Sequence, residues 1–121
     1  MGTLGERFAE AIADRDLDIF TGLFAETVDF RGLTPGKVWD ASDPAGVVDV
    51  VLGHWFEEKD EILSVQRAEA EPVLDTQHVG YRFEIVNPDG PHVAEQQAYY
   101  RVEDDHIVWM RVLCSGFRPR D

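Results

Sequence analysis

The chain has 121 residues, 44% of them hydrophobic and 11% aromatic, enough apolar side chain for one cored domain over 1–121 and too little length for two. Twenty-four Asp and Glu against eleven Lys and Arg give a net charge of −13, which repels phosphate backbones and anionic bilayers and argues against nucleic-acid and membrane partners. Cys114 is the single cysteine, so an intrachain disulfide and a cysteine-based zinc site are excluded, and a reducing, cytoplasmic setting is expected.

The first sixteen residues hold no basic stretch followed by an apolar run, and nowhere do about eighteen apolar residues follow one another, so neither export nor membrane spanning is expected. Thr3 with Glu6 reads as a capping box, and Leu4, Phe8 and Ile12 recur on one face, predicting a helix over Thr3 to Ala13. Asp16 can cap a second short helix whose stripe is Leu17, Phe20 and Phe24. Thr27 to Arg31 reads as a short strand, and Gly32 to Asp43, without periodicity, as a long loop carrying Trp39. Asp43-Pro44 is an N-cap followed by proline at the first helical position, and Val47, Val51, His54 and Trp55 then follow at helical spacing to about Phe56.

From Asp60 the period changes to two, predicting strands at Ile62 to Ala70, His78 to Val86, Val93 to Val102 and His106 to Phe117. Asn87-Pro88-Asp89-Gly90 is a strong turn, and Asp104-Asp105 makes the next connection. Helix, helix, strand, helix and four strands joined by tight turns predict an α+β fold with an antiparallel sheet. A curved sheet wrapped on three helices leaves a concave pocket at its open end, and function is to be sought there.

These elements, with RFAEAIADRDLDIFTGLFAETVDF near the front and DHIVWMRVLC as the final strand, resemble the nuclear transport factor 2-like superfamily, which includes SnoaL-like polyketide cyclases and ketosteroid isomerases. The resemblance covers nearly the whole chain and implies a cystatin-like cone of three helices on a curved antiparallel sheet with an internal pocket. For ketosteroid isomerases it implies a Tyr donor on the first helix, an Asp base on the first strand and a protonated Asp on the penultimate strand. Those positions fall on Phe8, Phe30 and Ala98, none of which moves a proton. The Asp-Arg-Asp arrangement of related epoxide hydrolases has no equivalent, since Asp29 points outward if Val28 and Phe30 point inward.

Two residues are catalytic candidates. His54, on the apolar side of the third helix, can titrate near neutral pH, the alternative being a histidine bonded to a backbone carbonyl. Tyr100 shares a strand face with Ala94, Gln96 and Ala98, where hydroxyl and amide can orient a ligand and the alanines leave room, the alternative being ordinary packing. Phe8, Phe30, Trp39, Trp55, Tyr81, Phe83, Gln96, Met110 and Cys114 complete the candidate ligand-binding set. A three-residue hairpin loop would instead put Tyr81 and Phe83 on the face of Gln97 and Glu95, so the register decides the pocket wall.

Cys114 lacks an identifiable histidine partner and reads as a small buried hydrophobe. His78, His92 and His106 lack metal-ligand spacing, so neither a metal nor a cofactor is expected. The sequence thus points to a small-molecule pocket protein, an isomerase, cyclase or dehydratase acting on an apolar or polycyclic metabolite, or else a non-catalytic binder or sensor of such a molecule. On the other sheet face Ile107, Trp109, Leu113, Val93 and Tyr99 form an apolar strip that predicts a homodimer through the convex side.

Overall fold

The computed structural model describes residues 3–57, 60–73 and 75–119. Helix α1 (Leu4–Asp14) starts from the capping box: the Thr3 hydroxyl accepts from the Glu6 N–H at 3.1 Å, and the Glu6 carboxylate accepts from the Thr3 N–H at 3.3 Å. It ends at Arg15, which turns left-handed (φ 54°). The Arg15 guanidinium donates to the carbonyls of Phe56 at 2.6 Å, Asp60 at 3.0 Å and Glu57. Helix α2 (Leu17–Gly22) is capped by Asp16, whose carboxylate accepts from the Ile19 N–H at 3.1 Å. The helix stops at Gly22, a weak helix former. Phe24, expected on its stripe, therefore opens strand β1, and Leu17 stays exposed.

Strand β1 (Phe24–Thr34) is longer than its apolar pattern predicts, and the expected loop is a hairpin with β2 (Lys37–Ala41). Thr34 pairs with Lys37 across Pro35-Gly36, and Gly36 has φ 82°. Proline presets the first turn position and glycine takes the left-handed second one. Trp39 thus sits on a strand. Helix α3 (Pro44–Val50), capped by Asp43 (2.7 Å to the Gly46 N–H), runs on as a π-helical turn, Val51–Trp55.

Strands β3 (Glu61–Val73), β4 (Thr76–Asn87), β5 (Gly90–Glu103) and β6 (His106–Cys114) form the expected antiparallel meander, and β1 adds to β6 in parallel, so the sheet is mixed, in the order β2-β1-β6-β5-β4-β3. The expected strand to Phe117 breaks at Ser115, and a short β7 (Arg118–Pro119) returns to β5. The β4–β5 loop has two residues: Asn87 pairs with Gly90 (φ 108°), which sets Tyr81 against Gln96 and Phe83 against Ala94. A bulge opposite Val102 sets Ile107 and Val108 against one residue. A bulge reverses the facing of what lies beyond it. Ile107, expected outward, is therefore fully buried, while Trp109, Arg111 and Leu113 keep the outward row.

Helices and inner sheet face share one core, to which Phe8, Phe20, Phe30, Phe56, Phe83 and Met110 contribute fully buried side chains. Among the described residues no helix is long and apolar enough to cross a membrane.

Candidate functional site

The inner sheet face follows strand alternation, with Val28 and Phe30 of β1, Val79, Tyr81, Phe83 and Ile85 of β4, Ala94, Gln96, Ala98 and Tyr100 of β5, and Met110 and Val112 of β6 all buried. From α1, Phe8 meets Tyr81 at 6.0 Å between ring centroids, and Tyr81 meets Phe83 at 5.2 Å. Phe83 meets Phe56 edge-on at 5.2 Å, and Phe56 stacks on Phe117 at 5.8 Å. Trp55 lies 6.0 Å from Phe30 and directly over Gly32, where a Cβ would overlap the indole. Of the candidate residues, the fold gathers Phe8, Phe30, Trp55, Tyr81, Phe83, Gln96, Tyr100 and Met110 into this interior. Cys114, paired with Gln96 across the β5–β6 ladder, is only half-buried.

The interior holds few polar atoms, and their partners are specific. The Tyr100 hydroxyl accepts from the Gly5 N–H at 2.9 Å, satisfying one of the amides that the first turn of a helix leaves unpaired. The Tyr81 hydroxyl donates to Gln96 Oε1 at 2.5 Å. Burial, with a smaller contribution from Cys114, pushes the Tyr81 phenol well above its ordinary value of 10.0, so it keeps its proton and acts as a donor. Two buried donors lack a hydrogen-bond partner among the described residues: Gln96 Nε2, in a residue 1% exposed, and Trp55 Nε1, in one 8% exposed.

His54 and Trp39 lie outside this interior, on its rim. The π-helical turn directs Trp55 to the core and leaves the His54 side chain 49% exposed, with Nδ1 2.9 Å from the Asp49 carbonyl oxygen and 3.7 Å from its carboxylate. The His54 ring is 5.1 Å from that of Trp39, and Trp39 donates through Nε1 to Thr34 Oγ1 at 2.9 Å beneath the Lys37 ammonium, 3.7 Å from the ring centroid. Sequence reasoning missed Lys37 and Thr34 as partners of Trp39, and Phe56 and Phe117 as interior rings. The Thr-Pro-Gly-Lys turn was the available signal for the first pair.

Asp29 points outward, as the alternation predicts, and Arg111 lies 3.1 Å from its carboxylate. The hydrogen bond from Arg111 holds the Asp29 carboxyl below its ordinary value. The remaining histidines make local bonds, His92 to the Gly90 carbonyl, His106 to the Asp104 carbonyl and His78 to Gln97 Oε1.

No protein-family model matches the sequence, and no curated protein matches it. Solved structures do. A Rhodopseudomonas palustris protein provisionally named an isomerase superposes with a TM-score of 0.76 at 13% identity, over 96% of this chain and 92% of that one. A Catenulispora acidiphila protein described as having a ketosteroid isomerase-like fold, solved with trimethylamine, gives 0.69 at 13% identity over 94% and 88%. A Mesorhizobium loti protein provisionally named a SnoaL-like polyketide cyclase gives 0.67 at 12% identity over 90% and 94%.

The fold is nuclear transport factor 2-like. Within the nuclear transport factor 2-like cone, the positions where the resemblance to ketosteroid isomerases implies proton-transfer groups carry Phe8, Phe30 and Ala98, all fully buried on the inner side.

Proposed function

We propose that this chain is a pocket protein that takes a small, mainly apolar metabolite into the interior of the cone, and that binding rather than proton transfer is its main task. The observation that carries this reading is the Tyr81–Gln96 pair, a hydrogen-bonded polar couple set among aromatic rings, with an amide donor left over. Specific ligand sites have this composition, an apolar wall with a few placed polar groups. Phe8, Phe30, Phe83 and Met110 are sealed from water. Uptake would therefore need side-chain movement, for which the half-buried Cys114 and Phe117 are the candidates. The chemistry offered inside is donation from neutral groups, since Tyr81 holds its proton and Tyr100 is engaged by α1.

A catalytic reading, an isomerase, cyclase or dehydratase, draws support from one feature. His54 is held by Asp49 at the rim beside Trp39, and bonding of Nδ1 to a carbonyl leaves Nε2 as the basic nitrogen. Mass spectrometry of compounds recovered from a metabolite screen, followed by incubation with the retained compound, separates the two. Unchanged compound supports the binder. Product formation that His54→Ala abolishes would overturn it in favour of the enzyme.

The same proposal includes a two-fold dimer through the convex sheet face and a cytoplasmic setting, the latter supported by the lone free thiol. On that face Leu33 pairs with both Val38 and Leu113, and all three are exposed. Tyr99 and Trp109 extend the patch, with the guanidiniums of Arg101 and Arg111 each 4.5 Å from the Trp109 ring centroid. Val93, expected in the strip, is buried and does not contribute.

A further inference from the structure

The unpartnered polar atoms of the interior are both donors. Gln96 Oε1 is occupied by the Tyr81 hydroxyl, while Gln96 Nε2 and Trp55 Nε1 have no acceptor among the described residues. The indole N–H can only donate, and an amide that accepts at oxygen is a stronger donor at nitrogen. A ligand hydroxyl would satisfy a donor but bring a proton that has to compete for an acceptor already taking the Tyr81 hydroxyl, whereas a carbonyl oxygen satisfies a donor and brings none.

Charge narrows the class further. Of the described residues, the buried polar or charged side chains of the core are Asp60 and Gln96, and neither is a cation. The chain as a whole carries −13. A carboxylate or enolate entering this interior would shed its water and meet neutral donors only, a loss that one or two hydrogen bonds do not recover.

We infer that the interior recognises its ligand by a neutral carbonyl oxygen, that of a ketone, ester or amide, received by the Gln96 amide N–H, while the Trp55 indole N–H is the other buried donor without a partner among the described residues. This rests on the pocket reading above and specifies its ligand. Tyr81 acts as a positioning residue, fixing the Gln96 amide so that its nitrogen rather than its oxygen faces the ligand.

The test uses three probes of one shape and the intact chain: acetophenone, α-methylstyrene, in which a methylene replaces the carbonyl oxygen, and benzoate. Partitioning out of water alone favours α-methylstyrene, so a preference for the ketone reports the donor. Titration calorimetry is expected to show acetophenone bound about tenfold more tightly than α-methylstyrene, with benzoate not retained. The carbonyl stretch of bound acetophenone is expected at lower wavenumber than in hexane. Gln96→Met, of similar length and without a donor, should erase the ketone preference and keep α-methylstyrene binding; the wild-type comparison stands alone should that variant not fold. Equal affinity for the two neutral probes, or preference for benzoate, overturns the carbonyl assignment and leaves the pocket reading standing. If neither neutral probe binds, the carbonyl assignment and the pocket reading both fall.

Discussion

Gly32 bears no side chain because Trp55 occupies the space where one would be. The contact fixes how closely the π-helical turn approaches β1, and so how deep the indole N–H lies. Gly32→Ala is expected to destabilise the fold by about 1–3 kcal/mol, the usual cost of overpacking, measured by urea unfolding. Adding Trp55→Leu should recover part of that loss if the indole is the obstacle. Tyr81 makes a second residue-scale prediction. Its folded-state pKa lies above 10.0, so the native state holds a proton that the unfolded chain begins to release near that pH. The stability tied to this proton is therefore fully present below about pH 10 and falls, by up to about 1.4 kcal/mol per pH unit, as pH rises toward the folded-state value. Urea titrations at pH 8 and pH 11 should show a smaller alkaline loss in Tyr81→Phe than in the wild type, and equal losses would mean that Tyr81 ionises freely. Alternation made the inward set of β5 legible in advance, but the bond from Gly5 to Tyr100 joins residues 95 apart, and no local pattern encodes it.

At the scale of elements, the end of α1 is fastened to the approach to β3. Arg15 donates to three backbone carbonyls there, and the buried Asp60 carboxylate accepts from the Glu57 N–H at 3.1 Å and the Asn87 amide at 2.9 Å. Removing one partner from a buried polar set leaves the others unsatisfied. Asp60→Ala should thus cost about 1–3 kcal/mol in urea unfolding, and Arg15→Gly should cost less than Arg15→Ala, because glycine relieves the left-handed backbone while losing the same donors. The reverse order for the Arg15 pair would mean that backbone strain is not felt at this position. The capping residues Thr3, Asp16 and Asp43 were readable because caps are local. The β1–β2 hairpin was not, because five residues with two large apolar side chains give period-two counting too little to work on. The π-helical turn was equally hidden: an inserted residue changes which side chains face inward, here moving His54 to the rim, and spacing alone does not announce it.

For the whole molecule, the contrast between the two sheet faces carries the last prediction. The inner face is closed by helices, whereas the convex face presents Leu33 at 46%, Leu113 at 45% and Val38 at 60% exposure on three adjacent strands. Trp109 sits among them between two guanidiniums, of which Arg111 is bonded to Asp29 and Arg101 lies 3.6 Å from the Asp75 carboxylate. An aromatic flanked by arginines inside an apolar strip has the make-up of an interface centre. A second copy related by a two-fold axis would supply the same patch and let the leucines and valine leave water without any new surface chemistry. Static light scattering at micromolar concentration should report about twice the 13.7 kDa chain mass. Leu113→Glu and Trp109→Glu should each shift it toward the monomer, because a carboxylate buried at the centre of a self-paired patch meets its own copy across the axis. Dimerisation unaffected by both substitutions would place the contact elsewhere on the molecule, and a wild-type monomer at that concentration would refute it. Since the residues proposed to face the ligand lie on the opposite side of the same strands, the monomeric variants should still bind acetophenone, separating assembly from recognition.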